Sequence, residues 1–212
     1  MNPVDRHRRL GVLISGRGSN LQALIDATLS GGLDAAVVVV ISNRPDAAGL
    51  ERARRSGIDA IVVDHRGWHS RDDYDAAILQ ELTERDVGLV CLAGYMRLVG
   101  PVLLNAFPNA ILNIHPSLLP AFPGINAQHQ AIEHGVKVSG VTVHFVTSEL
   151  DGGPIVLQRT VPVLDDDTRD ALADRILEVE HRAYPEAVRI VLDGGWRIDG
   201  RRFVRPADAA SV

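Results

Sequence analysis

The chain has 212 residues, of which 46% are hydrophobic and 23% charged, with a formal net charge of −5. This is enough for one large domain or two small ones with a proper core; it is too apolar for a disordered chain and lacks the overall basic field that nucleic acid binding requires. The single cysteine, Cys91, cannot form an intramolecular disulfide, and no Cys-x-x-Cys zinc pattern exists.

The first nine residues, Met1 to Arg9, carry charges with no long apolar stretch behind them, so no signal peptide is expected. No apolar run approaches membrane-spanning length, and a cytoplasmic protein is expected. Leu10 to Ser15 is a short apolar run and a first strand. Gly16-Arg17-Gly18-Ser19-Asn20 follows, and then Leu21, Leu24, Ile25 and Leu29 at amphipathic-helix spacing, closed by Gly31-Gly32. Ala35 to Ile41 is apolar throughout, as buried parallel strands are. A helix is expected over 47–56, a strand over 60–63, a helix over 71–85 and a strand over 89–93. This alternation predicts a doubly wound parallel sheet that binds ligands at the carboxyl ends of its strands.

The second half is less regular. Helices are expected over 101–105 and 127–133. Val138 to Val146 alternates, with Val141, Val143 and Phe145 facing one way and Thr142, His144 and Val146 the other; Ile155 to Pro162 follows as its antiparallel partner. Asp165-Asp166-Asp167-Thr168 begins a long helix that runs to about Leu192, its acidic residues suiting the positive helix end. Pro185 predicts a kink or a new segment there. Trp196, Ile198 and Phe203 suggest a terminal strand or hairpin. The fold expected is α/β: a doubly wound, mostly parallel sheet flanked by helices, with an antiparallel strand pair in the second half. One domain over 1–212 is expected, with a phosphate-binding half over 1–100 and most of the catalytic site in 101–212.

Three stretches carry chemistry. The Gly16 to Asn20 loop places backbone N–H groups and a positive helix end where a phosphate docks. A dinucleotide fingerprint would need a glycine at Leu21 and an acidic residue near Ser42-Asn43, and a P-loop would need Gly-Lys-Ser/Thr, so a phosphate monoester fits better. The bland alternative is a glycine turn with Ser19 or Asn20 as N-cap. The second stretch, Asn113-Ile114-His115-Pro116, is a strand tip breaking into a proline-pinned loop. Asn113 and His115 are two apart and project together, an amide and a proton carrier suited to stabilising a carbonyl oxyanion and moving a proton. Both could instead serve loop backbone groups. Asp151, before Gly152-Gly153-Pro154, is a turn residue or a carboxylate near His115, where it would raise the histidine pKa and hold it protonated. His144 is read as a core or rim histidine; His65, His69, His129, His134 and His181 are assigned to the surface. His115, His144 and Asp151 match no compact zinc pattern.

Together, Ile14-Ser15-Gly16-Arg17-Gly18-Ser19-Asn20-Leu21-Gln22, Leu92-Ala93-Gly94-Tyr95-Met96-Arg97, Asn113 to Pro120, and His144-Phe145-Val146 through Asp151-Gly152-Gly153-Pro154 are recognisable. In this order they resemble the phosphoribosylglycinamide formyltransferase family, over nearly the whole chain. The resemblance implies the formyltransferase fold and transfer of a formyl group from 10-formyltetrahydrofolate, as co-substrate, to 5-phosphoribosylglycinamide in de novo purine synthesis, with no metal. It implies Asn113, His115 and Asp151 as the catalytic trio, with His115 the general acid. It further implies Gly18, Ser19 and Asn20 at the phosphate and Glu180 at the ribose, and folate contacts from Arg71, Met96, Arg97, Leu98, Val99 and Asn113. The loop over 149–152 is expected to close over the pterin. Asn126 stands where many members carry a histidine, and Leu177 replaces a polar residue expected in some members; a neighbouring hydrogen bond and some ribose contacts are put in question. A rival within the wider family, formyltetrahydrofolate deformylase, hydrolyses the formyl group; methionyl-tRNA formyltransferase would need an added basic domain. A non-catalytic phosphate-ligand sensor is the rival of a different class. Expected partners are the two small-molecule substrates, with no nucleic acid and no membrane, and a monomer or homodimer. The rigidity of the loop and the habit of that family lead to the expectation of a cis Leu119-Pro120 bond.

Overall fold

The computed structural model describes residues 5–206. The reading of the chain start rests partly on residues 1–4, which lie outside the described residues. A 3-10 turn (Arg6–Arg8) leads into β1 (Arg9–Ile14), and then α1 (Ser19–Leu29), β2 (Ala36–Ser42), α2 (Gly49–Arg55), β3 (Asp59–Val62), α3 (Arg71–Thr83) and β4 (Leu89–Leu92) alternate. The second half runs α4 (Pro101–Ala106), β5 (Ile111–His115), α5 (Ala127–Glu133), β6 (Val138–Phe145), β7 (Ile155–Pro162), α6 (Arg169–Leu192), β8 (Arg197–Asp199) and β9 (Arg202–Val204). The expected elements are all present, most with ends displaced by a residue or two; α6 starts four residues later than expected, with Thr168 as its N-cap.

One nine-stranded sheet has the order β3-β2-β1-β4-β5-β6-β7-β9-β8. From β3 to β5 neighbouring strands are parallel, whereas β6 pairs antiparallel with both β5 and β7. The expected antiparallel pair is therefore one of three among the described residues, because β6 enters beside β5 in reverse and β8 pairs antiparallel with β9. The sheet divides the core into two layers. On one face Val12, Ile14, Val143 and Phe145 pack with Leu24 of α1, Leu50 of α2, Ala131 of α5 and Ile176 of α6. On the other, Leu13, Ile41 and Leu92 pack with Ile78 of α3 and Leu103 of α4. Burial on both sides explains why the first strands are apolar at every position rather than alternating. Cys91 is buried in the first layer.

Three local readings need correction. Leu29 sits in the last turn of α1 but is 73% exposed, because the packed stripe ends at Leu24 and Ile25. Neither Ser19 nor Asn20 caps α1: the helix begins at Ser19, and Gly18, at φ 71°, occupies the N-cap without a side-chain bond. Of the two outcomes expected at Pro185, the new segment does not occur, since α6 is continuous from Arg169 to Leu192 with the proline inside it. The helix is held on both sides of the proline by packing: Ala183, Tyr184, Ala187 and Val188 are all buried. The Tyr184 hydroxyl lies 2.9 Å from the Leu92 carbonyl and 3.1 Å from the Leu112 carbonyl, reaching β4 and β5 together. Among the described residues no helix is long and apolar enough to cross a membrane.

Candidate active site

The strand order turns back between β1 and β4, so the crevice at their carboxyl ends is the natural place for a ligand in an open α/β sheet. A cavity of about 550 Å³ lies there. Its walls include Gly16 to Asn20 after β1, Asn43 and Arg44 after β2, His65 after β3, and Met96 and Arg97 after β4. Gly18 is required twice over in this wall. Its φ of 71° is left-handed, and a Cβ there would stand 2.7 Å from the Gly49 backbone. The loop therefore lies flat on the start of α2, pinned by the Gly49 N–H donating to the Gly16 carbonyl at 3.0 Å. This leaves the first N–H groups of the eleven-residue α1 at the crevice, an anion-binding arrangement.

Asn20 turns away from the loop. Its amide donates to Glu180 Oε2 at 2.8 Å across 160 residues, while its Oδ1 is buried with no partner among the described residues. Glu180 is 7% exposed; burial, opposed by the Asn20 bond, pushes its carboxyl up to about 6.

Met96 and Leu98 are 71% and 53% exposed, whereas Val99 is buried. Arg97 lies over the Tyr74 ring at 5.4 Å. Arg71, at the first turn of α3, packs beside Gly100, so it is brought to the end of the same segment. The structure thus gathers Gly18, Ser19, Asn20, Met96 and Arg97 around one cavity. Arg71, Leu98, Val99 and Glu180 stand outside its immediate lining.

The trio assembles on the next strands. Asn113 and His115 share one side of β5, and β6 runs antiparallel so that Asn113 faces His144 and His115 faces Thr142. The alternation expected for β6 holds, but its polar side is buried too: Thr142 and His144 are 0% and 2% exposed. Thr142 uses this position to lock the 116–122 loop. Its hydroxyl donates to the Ser117 carbonyl at 2.7 Å and accepts from the Leu119 N–H at 3.0 Å. The Leu119-Pro120 bond is cis. The returning loop presents the Phe122 carbonyl, which accepts from His115 Nε2–H at 2.8 Å.

Asp151 arrives from the β6–β7 loop. Gly153 allows that approach, because a Cβ there would collide with the Phe145 carbonyl. Asp151 takes φ 50°, a conformation short polar side chains tolerate, and accepts from the Gly124 N–H at 2.7 Å. Its carboxylate then faces both histidines: Oδ2 lies 3.5 Å from His115 Nδ1 and Oδ1 lies 3.7 Å from His144 Nε2. His144 Nδ1–H donates to the Phe145 carbonyl at 2.9 Å, and its Nε2 faces the Asn113 amide N–H at 3.3 Å.

The electrostatics revise the expectation for His115. Burial is the largest influence and pulls the imidazole below the ordinary histidine value, with His144 acting the same way. The Phe122 carbonyl and Asp151 oppose this without prevailing, because the ring is 4% exposed and the carboxylate is no closer than 3.5 Å. His115 therefore rests neutral at neutral pH rather than protonated. For Asp151, burial raises the carboxyl, but His144, the Gly124 N–H and His115 together bring it below the ordinary value, so it rests ionised.

Two contributors, Asn43 and His65, escaped the sequence reading and line the crevice; His144, read as a core or rim histidine, is buried and joins Asn113 to the Asp151 group. Asn43 and His65 each lie within three residues of a strand's carboxyl end, and that position was the available signal. Asn126 caps α5 with φ 59° and accepts from Arg169 at 3.4 Å. Among the described residues no group of three histidine, cysteine or acidic side chains is arranged to hold a metal ion.

Comparison with known proteins bears on this geometry. The formyl transferase family model matches residues 8–188. Phosphoribosylglycinamide formyltransferase of Escherichia coli (strain K12) is 44% identical over 190 residues, 90% of this chain and 87% of its own. The crystal structure of glycinamide ribonucleotide transformylase 1 from Symbiobacterium toebii matches with a TM-score of 0.91 at 58% identity, covering 93% of each chain. The trifunctional purine biosynthetic protein adenosine-3 of Drosophila melanogaster is 48% identical over 192 residues; these are 90% of this chain but only 14% of that protein's length.

Proposed function

The chain belongs to the formyl transferase family, and from that premise we propose that it transfers the formyl group of 10-formyltetrahydrofolate to the amine of 5-phosphoribosylglycinamide, a step of de novo purine synthesis. The observation that carries the reading is the convergence of Asn113, His115 and Asp151 beside a crevice walled by the glycine loop and the Met96–Arg97 segment.

In this reading the ribonucleotide phosphate docks on the backbone of Gly18, Ser19 and Asn20, and Glu180 accepts from the ribose hydroxyls. Arg71 and the run from Met96 to Val99 hold the folate, with the 149–152 loop closing over the pterin. The substrate amine attacks the formyl carbon, forming a carbon–nitrogen bond and an oxyanion. The Asn113 amide stabilises that oxygen, and protonated His115 reinforces it. Resting neutral, His115 takes up the proton that the attacking amine releases. It then acts as general acid, delivering this proton to the departing folate nitrogen as the old carbon–nitrogen bond breaks. Ionised Asp151 stabilises the intervening imidazolium. The loose 3.5 Å separation suits a site that tightens on its substrates. The continuous sheet across both halves supports a single formyltransferase domain over 1–212, with the phosphate loop in 1–100 and the trio in 101–212. We place it in the cytoplasm as a monomer or homodimer.

The test is formyl loss from 10-formyltetrahydrofolate, followed optically with and without 5-phosphoribosylglycinamide. Loss that needs the ribonucleotide, with formylated product in equal amount, supports the reading. Equal loss without it makes the protein a deformylase, and no loss from folded protein makes it a phosphate-ligand sensor.

A further inference from the structure

Ser15 is the last residue before the glycine loop and is 6% exposed. Its hydroxyl donates to Asn43 Oδ1 at 2.6 Å and accepts from the Met96 N–H at 2.8 Å. Three strand tips are joined through one oxygen: β1 through Ser15, β2 through Asn43 and β4 through Met96. Asn43 Oδ1 can only accept, so the hydroxyl hydrogen points to Asn43 and a lone pair faces the Met96 N–H.

The segment from Tyr95 to Gly100 has no strand or helix to hold it. Two of its anchors come from α3: the Tyr74 and Tyr95 hydroxyls meet at 3.1 Å, and the Gly100 N–H donates to Asp75 Oδ2 at 2.6 Å. The Ser15 anchor differs in kind, because its own backbone continues directly into Gly16.

We propose that Ser15 is a positioning residue that couples the two substrate segments, so that filling the Gly16–Asn20 loop favours binding at Met96–Val99 and the reverse. The inference rests on the assignment of those segments to the ribonucleotide and the folate. Ordering one segment fixes the Ser15 oxygen, and the other then orders at lower entropic cost. Reciprocity follows from linkage: each ligand must tighten the other by the same factor.

The experiment uses an unreactive pair, tetrahydrofolate and 5-phosphoribosylglycinamide, titrated calorimetrically alone and together. In the wild-type protein each ligand should tighten the other about tenfold, within the range of roughly 5–150-fold typical of coupled sites. Ser15→Ala should bring that factor to about one, leaving the ribonucleotide affinity of the free protein little changed, and Ser15→Thr should restore it. Asn43→Ala, which frees the hydroxyl without deleting it, should give an intermediate factor. Asp75→Asn is the control: it disturbs the other anchor and should weaken tetrahydrofolate equally with and without the ribonucleotide. A wild-type factor of one, a factor unchanged in folded Ser15→Ala and Asn43→Ala, or one abolished equally by Asp75→Asn overturns the inference. A wild-type protein that transfers no formyl group overturns the functional assignment as well, and the optical assay tells the two failures apart.

Discussion

The crevice after β1 and β4 and the group around β5 and β6 are built on different principles. The first is mainly backbone: a flat glycine loop, a helix start, and a segment pinned through its N–H groups. The second is made of side chains from distant positions, Asn113, His115, His144 and Asp151, held by carbonyls and one loop N–H. Backbone sites tolerate side-chain change and fail on conformational change; side-chain clusters do the opposite. The two regions should therefore separate under mutation, one governing turnover and the other affinity.

The strongest test of that separation removes the proton carrier. His115→Ala should lower kcat by about 10²–10⁴-fold, and Asn113→Ala by about 10²–10³-fold as an oxyanion donor is lost. The ribonucleotide KM should move little in both, and steady-state kinetics on folded variants checks this; wild-type-like turnover would break the comparison.

Gly18→Ala attacks the other region. A left-handed conformation and a backbone collision together should cost about 1–3 kcal/mol. The melting temperature should fall by several degrees and the ribonucleotide KM should rise, with the folate KM far less affected.

Glu180 sharpens the comparison through pH. Its carboxyl is pushed up to about 6, so the folded state holds this proton more tightly than the unfolded chain does. Stability from this group is accordingly lost as pH rises from the ordinary value through about 6, the reverse of a salt-bridged carboxylate. The ribonucleotide KM should rise as pH falls through the same region, because the protonated group accepts less well. Glu180→Gln should flatten both profiles, which melting curves and KM values between pH 5 and about 8 would reveal. The smallest effect is expected at the rim. Arg97→Ala, at a half-buried position, removes a contact with the buried Tyr74 ring and should raise the folate KM only a few-fold, consistent with about 1 kcal/mol for a cation–ring pair.

The same contrast explains what was legible in the sequence. The glycine loop, the alternating strands and helices, and the Asn113–His115 spacing are local patterns, and the structure reproduces them. The sign of the His115 shift was not local: it depends on how completely the 116–122 loop and β6 enclose the ring, and burial there outweighs the carboxylate. His144 could not be distinguished from a core histidine because its partners, Asn113 and Asp151, come from another strand and a loop. The exposure of Leu29 and the uninterrupted α6 at Pro185 are likewise matters of tertiary packing, which periodicity and propensity do not contain.

Tyr184 gives these regions a shared clock. Its hydroxyl meets carbonyls of both β4 and β5, so the strand leading to the Met96–Val99 segment and the strand bearing Asn113 and His115 are fastened to one helix. Their amides should exchange with deuterium at a common rate, as a single opening unit. In Tyr184→Phe that unit should divide, with exchange in β4 and β5 no longer keeping pace.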